Sequence, residues 1–219
     1  MNFLKDDTFL TRMLSRLIDL VFVSTLWFVC SLPIFTLGAS TTALYDVTLR
    51  MAFGERPGIL SSYFSAFKKN FLRATAVFLV LLAAGLFIAA DLWCALHWPV
   101  PFQFALEVLI LSVGFFYLIL LTHAFPALAF YDGHPARILK SVFLRSLSRG
   151  VYTVFIVVLS VFPIIFLVRQ LASPSFGQWL MFFLLLGNGG IAYFNSLHLA
   201  RLFDPERAKA AAESDESPD

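Results

Sequence analysis

Charge is scarce in this chain. Only 14% of its 219 residues are Asp, Glu, Lys or Arg, against about 25% in an average soluble protein. That scarcity excludes an ordinary water-solvated globule, whose surface needs charge. Cysteine is scarce too. Cys30 and Cys94 sit inside apolar runs with no metal-type spacing, so both are expected as buried free thiols behaving as small hydrophobes. The signatures of catalysis are missing as well: no nucleophile elbow, no HExxH, no CxxC and no phosphate loop occurs. The expectation is a protein that is not an enzyme and that uses no cofactor and no metal.

What is present is apolar. Hydrophobic residues make up 59% of the chain, 26 of the residues are Phe, and the mean hydropathy is +0.82. A membrane β-barrel would show short alternating segments. Here the apolar runs are long and unbroken, which makes the spans helical, since about 20 apolar residues in a helix cross the hydrocarbon core. Five long runs qualify, at about 16–32, 74–98, 102–130, 151–171 and 176–200. The fold class is therefore all-α, a polytopic transmembrane helical bundle, with residues 1–203 as a single integral membrane domain. The tail 204–219 is polar and acidic, with Asp204, Glu206, Glu213, Asp215, Glu216 and Asp219 against Arg207 and Lys209. It is expected to be disordered. Lys5, Arg12 and Arg16 before the first run, and Gly38–Ser40 after it, imitate a secretory signal. Asp6, Asp7 and Asp19 spoil that pattern and the run is long, so the segment is expected to stay.

Basic residues assign the sides. Arg50, Arg56, Lys68, Lys69 and Arg73 cluster in one connection, Arg137, Lys140, Arg145 and Arg149 in another, and Arg201, Arg207 and Lys209 follow the last run. The turn at 97–101 has no Lys or Arg and the turn at 169–176 only Arg169. Lys and Arg in short loops mark the cytoplasmic side. Five spans would then leave the basic N-terminus outside. The conflict disappears if residues 31–51, "SLPIFTLGASTTALYDVTLRM", turn back into the bilayer after Pro33. The return segment, 38–53, is a short hydroxyl-rich helix of about 22 Å at about 1.5 Å per residue, with small residues suited to close helix contact. Its Asp46 and Arg50 are spaced to pair on one face. This gives five long apolar spans plus one short membrane-penetrating helix, with N- and C-termini cytoplasmic. A five-span chain with an external N-terminus and an interfacial first segment are the alternatives.

The connections 54–73 and 133–150 are expected as cytoplasmic amphipathic helices against anionic lipid headgroups. They align without gaps, "GERPGILSSYF" on "GHPARILKSVF", with Ile59, Leu60, Tyr63 and Phe64 on one face of the first and Ile138, Leu139, Val142 and Phe143 on one face of the second. Two structural repeats and two similar basic linkers explain this equally well. Because the basic residues border membrane segments, lipid headgroups rather than nucleic acid are the expected counter-charge.

Ionisable and amide groups in spans are the candidate polar or transport residues, because burying them in lipid is costly. Asp91 and Glu107 lie equally far from Pro99 on either side of an external turn, near His97. They could share a proton or a cation, or simply reach water. Asn188 and Asn195 share a face with His198, and Gly187–Gly190 permits a local break of the last span. A close helix contact with Asn188 as an inter-helix hydrogen bond is the plainer alternative. His123, with no second ligand in sight, is expected to be hydrogen-bonded packing, and Asp132–Gly133 to end the third run.

The stretch 31–51 also carries Pro33, Thr36, Gly38, Ala43, Leu44 and Tyr45 in a P-x-x-T-x-G-x-x-x-x-A-L-Y pattern, followed by Phe64, Phe67, Lys68, Lys69, Asn70 and Phe71. In these residues the sequence resembles the YesL-like family of bacterial integral membrane proteins, specifically over about 31–75 and only in span pattern beyond. The family has no established activity, so the resemblance carries over no catalytic or binding residue. Its members often occur beside sugar-uptake ABC transporters in bacterial genomes. The resemblance thus implies an accessory or assembly partner of a carbohydrate uptake system, with ABC-transporter components as partners. A small solute or ion-coupled transporter acting on its own is the alternative.

Overall fold

A computed structural model describes residues 9–97, 102–148, 150–171, 173–204 and 206. Among them the chain is helical and has no strand. The first helix, α1 (Phe9–Ser31), stops before Pro33, whose ring disfavours helix in the residue ahead of it. Thr36 closes the corner: its hydroxyl lies 2.6 Å from both the Cys30 and Pro33 carbonyls. A single 3-10 turn, Ile34–Thr36, leads directly into α2 (Leu37–Ala52). Gly54 adopts φ 76°, and the amides of Gly54 and Glu55 bond back to the Met51 and Arg50 carbonyls. This glycine-terminated cap satisfies the end of α2.

Pro57 and Gly58 precede α3 (Ile59–His97), a single helix of 39 residues. The expected amphipathic segment 54–73 and the expected span 74–98 are therefore parts of one rod, about 58 Å long at about 1.5 Å per residue. Of its first apolar face, Tyr63 is buried while Leu60 and Phe64 are exposed. The chain returns as α4 (Gln103–Phe130), which contains Pro126 and ends at Asp132–Gly133 as expected. Then come α5 (Pro135–Ser148) and α6 (Gly150–Arg169). In α5, Ile138 and Val142 are buried. The similar sequences 54–64 and 133–143 thus enter different constructions: the first runs on into its long helix, the second forms a helix of its own.

The last apolar run is divided. α7 (Phe176–Phe182) passes through a π-helical turn, Phe183–Gly187, into α8 (Asn188–Phe203). Of the elements described, α1, α3, α4 and α6 are long and apolar enough to cross a membrane. The acidic tail beyond residue 206 and the first residues, through 8, lie outside the described residues.

At the centre stands α2, packed against α1, α3, α4 and α8. It buries 11 of its 16 residues. A Cβ at Gly38 would land on the Ala74 carbonyl oxygen and 2.6 Å from Phe78 Cβ, so only glycine lets α2 approach α3 this closely. Gly189 does the same for α8 against α1, where a Cβ would meet Ser24 and come within 2.7 Å of the Leu20 carbonyl oxygen.

Candidate functional site

The polar residues of the interior form a seam along α2. Ser40 shares a 2.6 Å hydrogen bond with the Tyr63 hydroxyl and also donates to the Trp27 carbonyl at 3.0 Å. The Trp27 indole donates to Thr41 at 3.1 Å. Further along, the Thr48 and Ser196 hydroxyls lie 2.8 Å apart, joining α2 to α8. The Asn195 amide donates to Ser160 at 3.1 Å and to the Tyr45 hydroxyl at 3.4 Å, joining α8 to α6 and α2. In a bilayer such bonds replace the hydrophobic drive that lipid cannot supply. Thr42 and Thr48 also return their hydroxyls to carbonyls one turn back in α2. The short helix therefore carries its hydroxyls with little polar surface to spare.

Asp46 and Arg50 form the expected i, i+4 pair at 2.9 Å, at the end of α2 nearest the basic connection. A second polar cluster lies close by. The Arg73 guanidinium reaches the Leu128, Tyr131 and Gly133 carbonyls, and its Nε donates to Asn70 at 2.7 Å. It thereby caps the C-terminus of α4, where a cation also meets the negative end of the helix dipole. Lys69 pairs with Asp132 at 2.9 Å. The Asp132 carboxyl is held below the ordinary carboxylate range, chiefly by the Lys69 hydrogen bond, with the charges of Lys69 and Arg73 assisting against slight burial.

The candidate transport residues are dispersed. Asp91 lines a groove of about 410 Å³ between α3 and α4, together with Ile88, Cys94, Leu106 and Ile110. Glu107 is not among the groove's lining residues; its carboxylate accepts a 2.9 Å hydrogen bond from Gln103, whose amide also donates to the Ala95 carbonyl. His97 stacks on Trp93 and bonds to its carbonyl oxygen. Asn188 follows the π turn, its Nδ2 enclosed and without a hydrogen-bond partner among the described residues. His198 borders a separate cavity at the opposite end of the bundle, which His123, Tyr152 and Arg201 also line. Asn195, although it shares a helix with Asn188 and His198, belongs to the interior seam instead. Cys30 and Cys94 are free thiols, half-buried rather than buried. No cluster of three or more His, Cys, Asp or Glu suited to a metal occurs among the described residues.

The sequence sets Tyr63 on an apolar face, passes over Thr48 and Ser196, and reads Arg73 and Arg201 only as marks of the cytoplasmic side. The first three look like ordinary residues until their partners from other helices are seen. Arg73 could have been suspected from Asp132–Gly133, because an exposed helix end needs a cap.

Residues 20–92 match the family described as "Protein of unknown function, DUF624". Over 138 residues the chain is 25% identical to "Uncharacterized protein YesL" of Bacillus subtilis (strain 168), a match covering 61% of this chain and 65% of that protein, just short of two thirds of its length. No solved structure matches.

Proposed function

We propose, from its likeness to YesL over part of its length, that the chain is a non-enzymatic accessory or assembly partner of a carbohydrate uptake system of the ABC type, set in a bacterial cell membrane. The observation that carries this reading is the dispersal of its candidate transport residues. Asp91 faces one groove, His198 borders a different cavity, and Asn195 is locked into hydrogen bonds between helices. A carrier needs its polar groups to converge on one site; a scaffold needs them to hold helices together, as Ser40, Thr48 and Asn195 do here. The α3–α4 hairpin, with Leu86, Phe87, Phe104 and Leu109 exposed, offers an apolar flank of the kind a membrane partner packs against. The proposal is tested by crosslinking in native membranes followed by purification. Recovery of transporter components supports it, and a purified protein that brings none of them sinks it.

The groove at Asp91 favours a second reading, a small carrier in its own right. Solute uptake into proteoliposomes that falls in Asp91→Asn would support that reading; uptake unchanged in both Asp91→Asn and Glu107→Gln would remove the carboxylates from it. The orientation belongs to the proposal as well: both termini, α5 and the basic start of α3 face the cytoplasm. In a background lacking Cys30 and Cys94, a cysteine at Ser175 is expected to react with an impermeant reagent on intact cells. One at Gly133 should react only after permeabilisation, and the reverse pattern would overturn the scheme.

A further inference from the structure

Across 20–45, 74–130 and 150–200 the only Asp, Glu, Lys or Arg residues are Asp91, Glu107 and Arg169. Glu107 accepts a hydrogen bond from Gln103. Asp91 and Arg169 are both exposed, and neither has an ion pair among the described residues. An ionised group on an apolar helix face is costly in lipid, and such groups pair with one another or line a wet cavity. Within the chain the two do not meet, although α4 packs against both α3, which bears Asp91, and α6, which ends in Arg169.

Their depths match. Asp91 shares its groove with Leu109 and Ile110 of α4. Toward the other end of the bundle, His123 of α4 and Thr153 of α6 line one cavity, which gives these two helices a common level. From that level Ile110 lies about 20 Å back along α4 and Arg169 about 24 Å forward along α6, at about 1.5 Å per residue. The difference of about 4 Å is within the reach of an extended arginine side chain. The surfaces are complementary as well. Apart from Asp91, the groove of about 410 Å³ is lined by Leu, Ile, Val, Ala and Cys94. On α6, Val151, Val158, Phe162 and Ile165 are exposed at spacings that form one helical stripe, and Arg169 continues it. Val113 lines the groove, and Phe116, one turn further along α4, meets Phe143 of α5. The groove therefore opens on the side of α4 where α5 leads into α6.

We propose that the groove between α3 and α4 receives α6 of a second copy of this chain, with Arg169 of one copy paired to Asp91 of the other. A two-fold axis along the membrane normal keeps every residue at its own depth, so the same contact forms twice and satisfies both charges in both copies. Leu86 and Phe104 lie on the faces of α3 and α4 turned away from the groove and stay open to a different protein. The dimer is independent of any role in sugar uptake and of which side of the membrane is cytoplasmic.

The test uses the full chain in two settings. In membranes, two differently tagged copies are co-expressed, one with Asp91→Cys and one with Arg169→Cys, both lacking Cys30 and Cys94, and treated with a short bifunctional thiol reagent. A crosslink joining the two tags is expected. In liposomes, the dimer is followed by energy transfer between labelled copies as the protein is diluted in lipid. Asp91→Arg and Arg169→Asp are each expected to weaken association by about tenfold or more, the two changes combined in one chain to restore it, and Glu107→Gln to leave it unchanged. Both altered side chains are exposed, and thermal unfolding checks that each variant folds. A chain that is monomeric in lipid overturns the proposal. So does a dimer that forms without the crosslink, or one that neither charge reversal weakens, that the combined change fails to restore, or that Glu107→Gln dissociates.

Discussion

α2 buries 11 of its 16 residues, whereas the far half of the α3–α4 hairpin, from Leu82 to His97 and from Phe102 to Ser112, buries only Ala95. The order of apolarity runs the other way. α2 carries Ser40, Thr41, Thr42, Thr48, Asp46 and Arg50, while the hairpin is built largely of Leu, Ile, Val, Phe and Ala. In water the apolar helix would be inside. In a bilayer, lipid tails are as apolar as leucine, so burying Phe104 or Leu86 gains nothing, and close packing and hydrogen bonds decide which helix is central. The contrast also separates two kinds of glycine. Gly38 is pressed against the α3 backbone, whereas a Cβ at Gly114 would find only Ile88 Cγ2 at 3.8 Å.

The sharpest way to break this contrast is to add the same methyl group to each region. Gly38→Ala drives its Cβ into the Ala74 carbonyl and Phe78, and overpacking of this kind costs about 1–3 kcal/mol or more. Gly114→Ala makes an ordinary contact and removes a helix-weakening glycine, so it should be neutral or slightly stabilising, by up to about 1 kcal/mol. Thermal unfolding of the two variants in detergent, followed by tryptophan fluorescence, measures the difference. Equal losses would mean that the hairpin is as tightly packed as the centre.

Arg73 comes next in size. Its guanidinium serves three carbonyls at the end of α4 and is mostly shielded from solvent, with 19% of its side chain exposed. Hydrogen bonds to a charged group contribute about 1.5–3 kcal/mol, so Arg73→Ala should lower stability within that range and raise hydrogen exchange at 127–131. Arg73→Lys should recover only part of it, since an ammonium cannot span the same fork of acceptors. Full recovery by lysine would reduce the contact to simple charge.

How far these contacts could be read from the sequence depends on whether both partners lie on one helix. The central place of 38–53 was legible because Gly38, Ala39, Ser40 and Ala43 pack closely and its hydroxyls can be satisfied within the helix. Asp46–Arg50 was legible because a helix brings residues four apart together. The end of α4 at Asp132–Gly133 followed from glycine, whereas the π turn at Phe183–Gly187 lies beside glycines for which a local break was only one of two readings. The continuity of α3 was missed for a physical reason: Lys68, Lys69 and Arg73 indicate where a membrane surface lies, not where a helix stops, and neither proline nor glycine interrupts 59–84. Pairs such as Thr48 with Ser196, or Tyr45 with Asn195, join helices far apart in the chain, and no periodicity within one helix announces them.

Such a pair provides a smaller test of the central region. Removing the Thr48–Ser196 bond by Thr48→Val, Ser196→Ala and both together isolates its coupling in a double-mutant cycle. Inter-helix bonds in membrane bundles average about 0.6 kcal/mol and reach about 1.7 kcal/mol. Because both hydroxyls are buried, a value in the upper part of that range is expected. Additive single changes would show that the seam holds α2 by shape alone.

The smallest effect belongs to the pair at the surface, and its pH dependence has a definite sign. Asp132, 72% exposed in its side chain, meets Lys69 at 2.9 Å, and its carboxyl titrates below its ordinary value of 3.8. A carboxylate with a depressed folded-state pKa contributes stability above its unfolded pKa and loses it as the pH falls through the lower, folded value. Wild-type protein should therefore exceed Asp132→Asn in unfolding temperature near neutral pH, and the gap should narrow once the pH drops below about 4. Exposed pairs contribute only about 0–1 kcal/mol, and salt screens them, so the neutral-pH gap should also shrink at high ionic strength. Arg73, beneath the same carboxylate, is bound chiefly to carbonyls that do not titrate, and the loss in Arg73→Ala should persist at both pH values. If the Asp132→Asn gap is large, or insensitive to acid and salt, then Asp132 is holding the end of α4 in place rather than decorating it, and the surface would have to be counted with the packed centre.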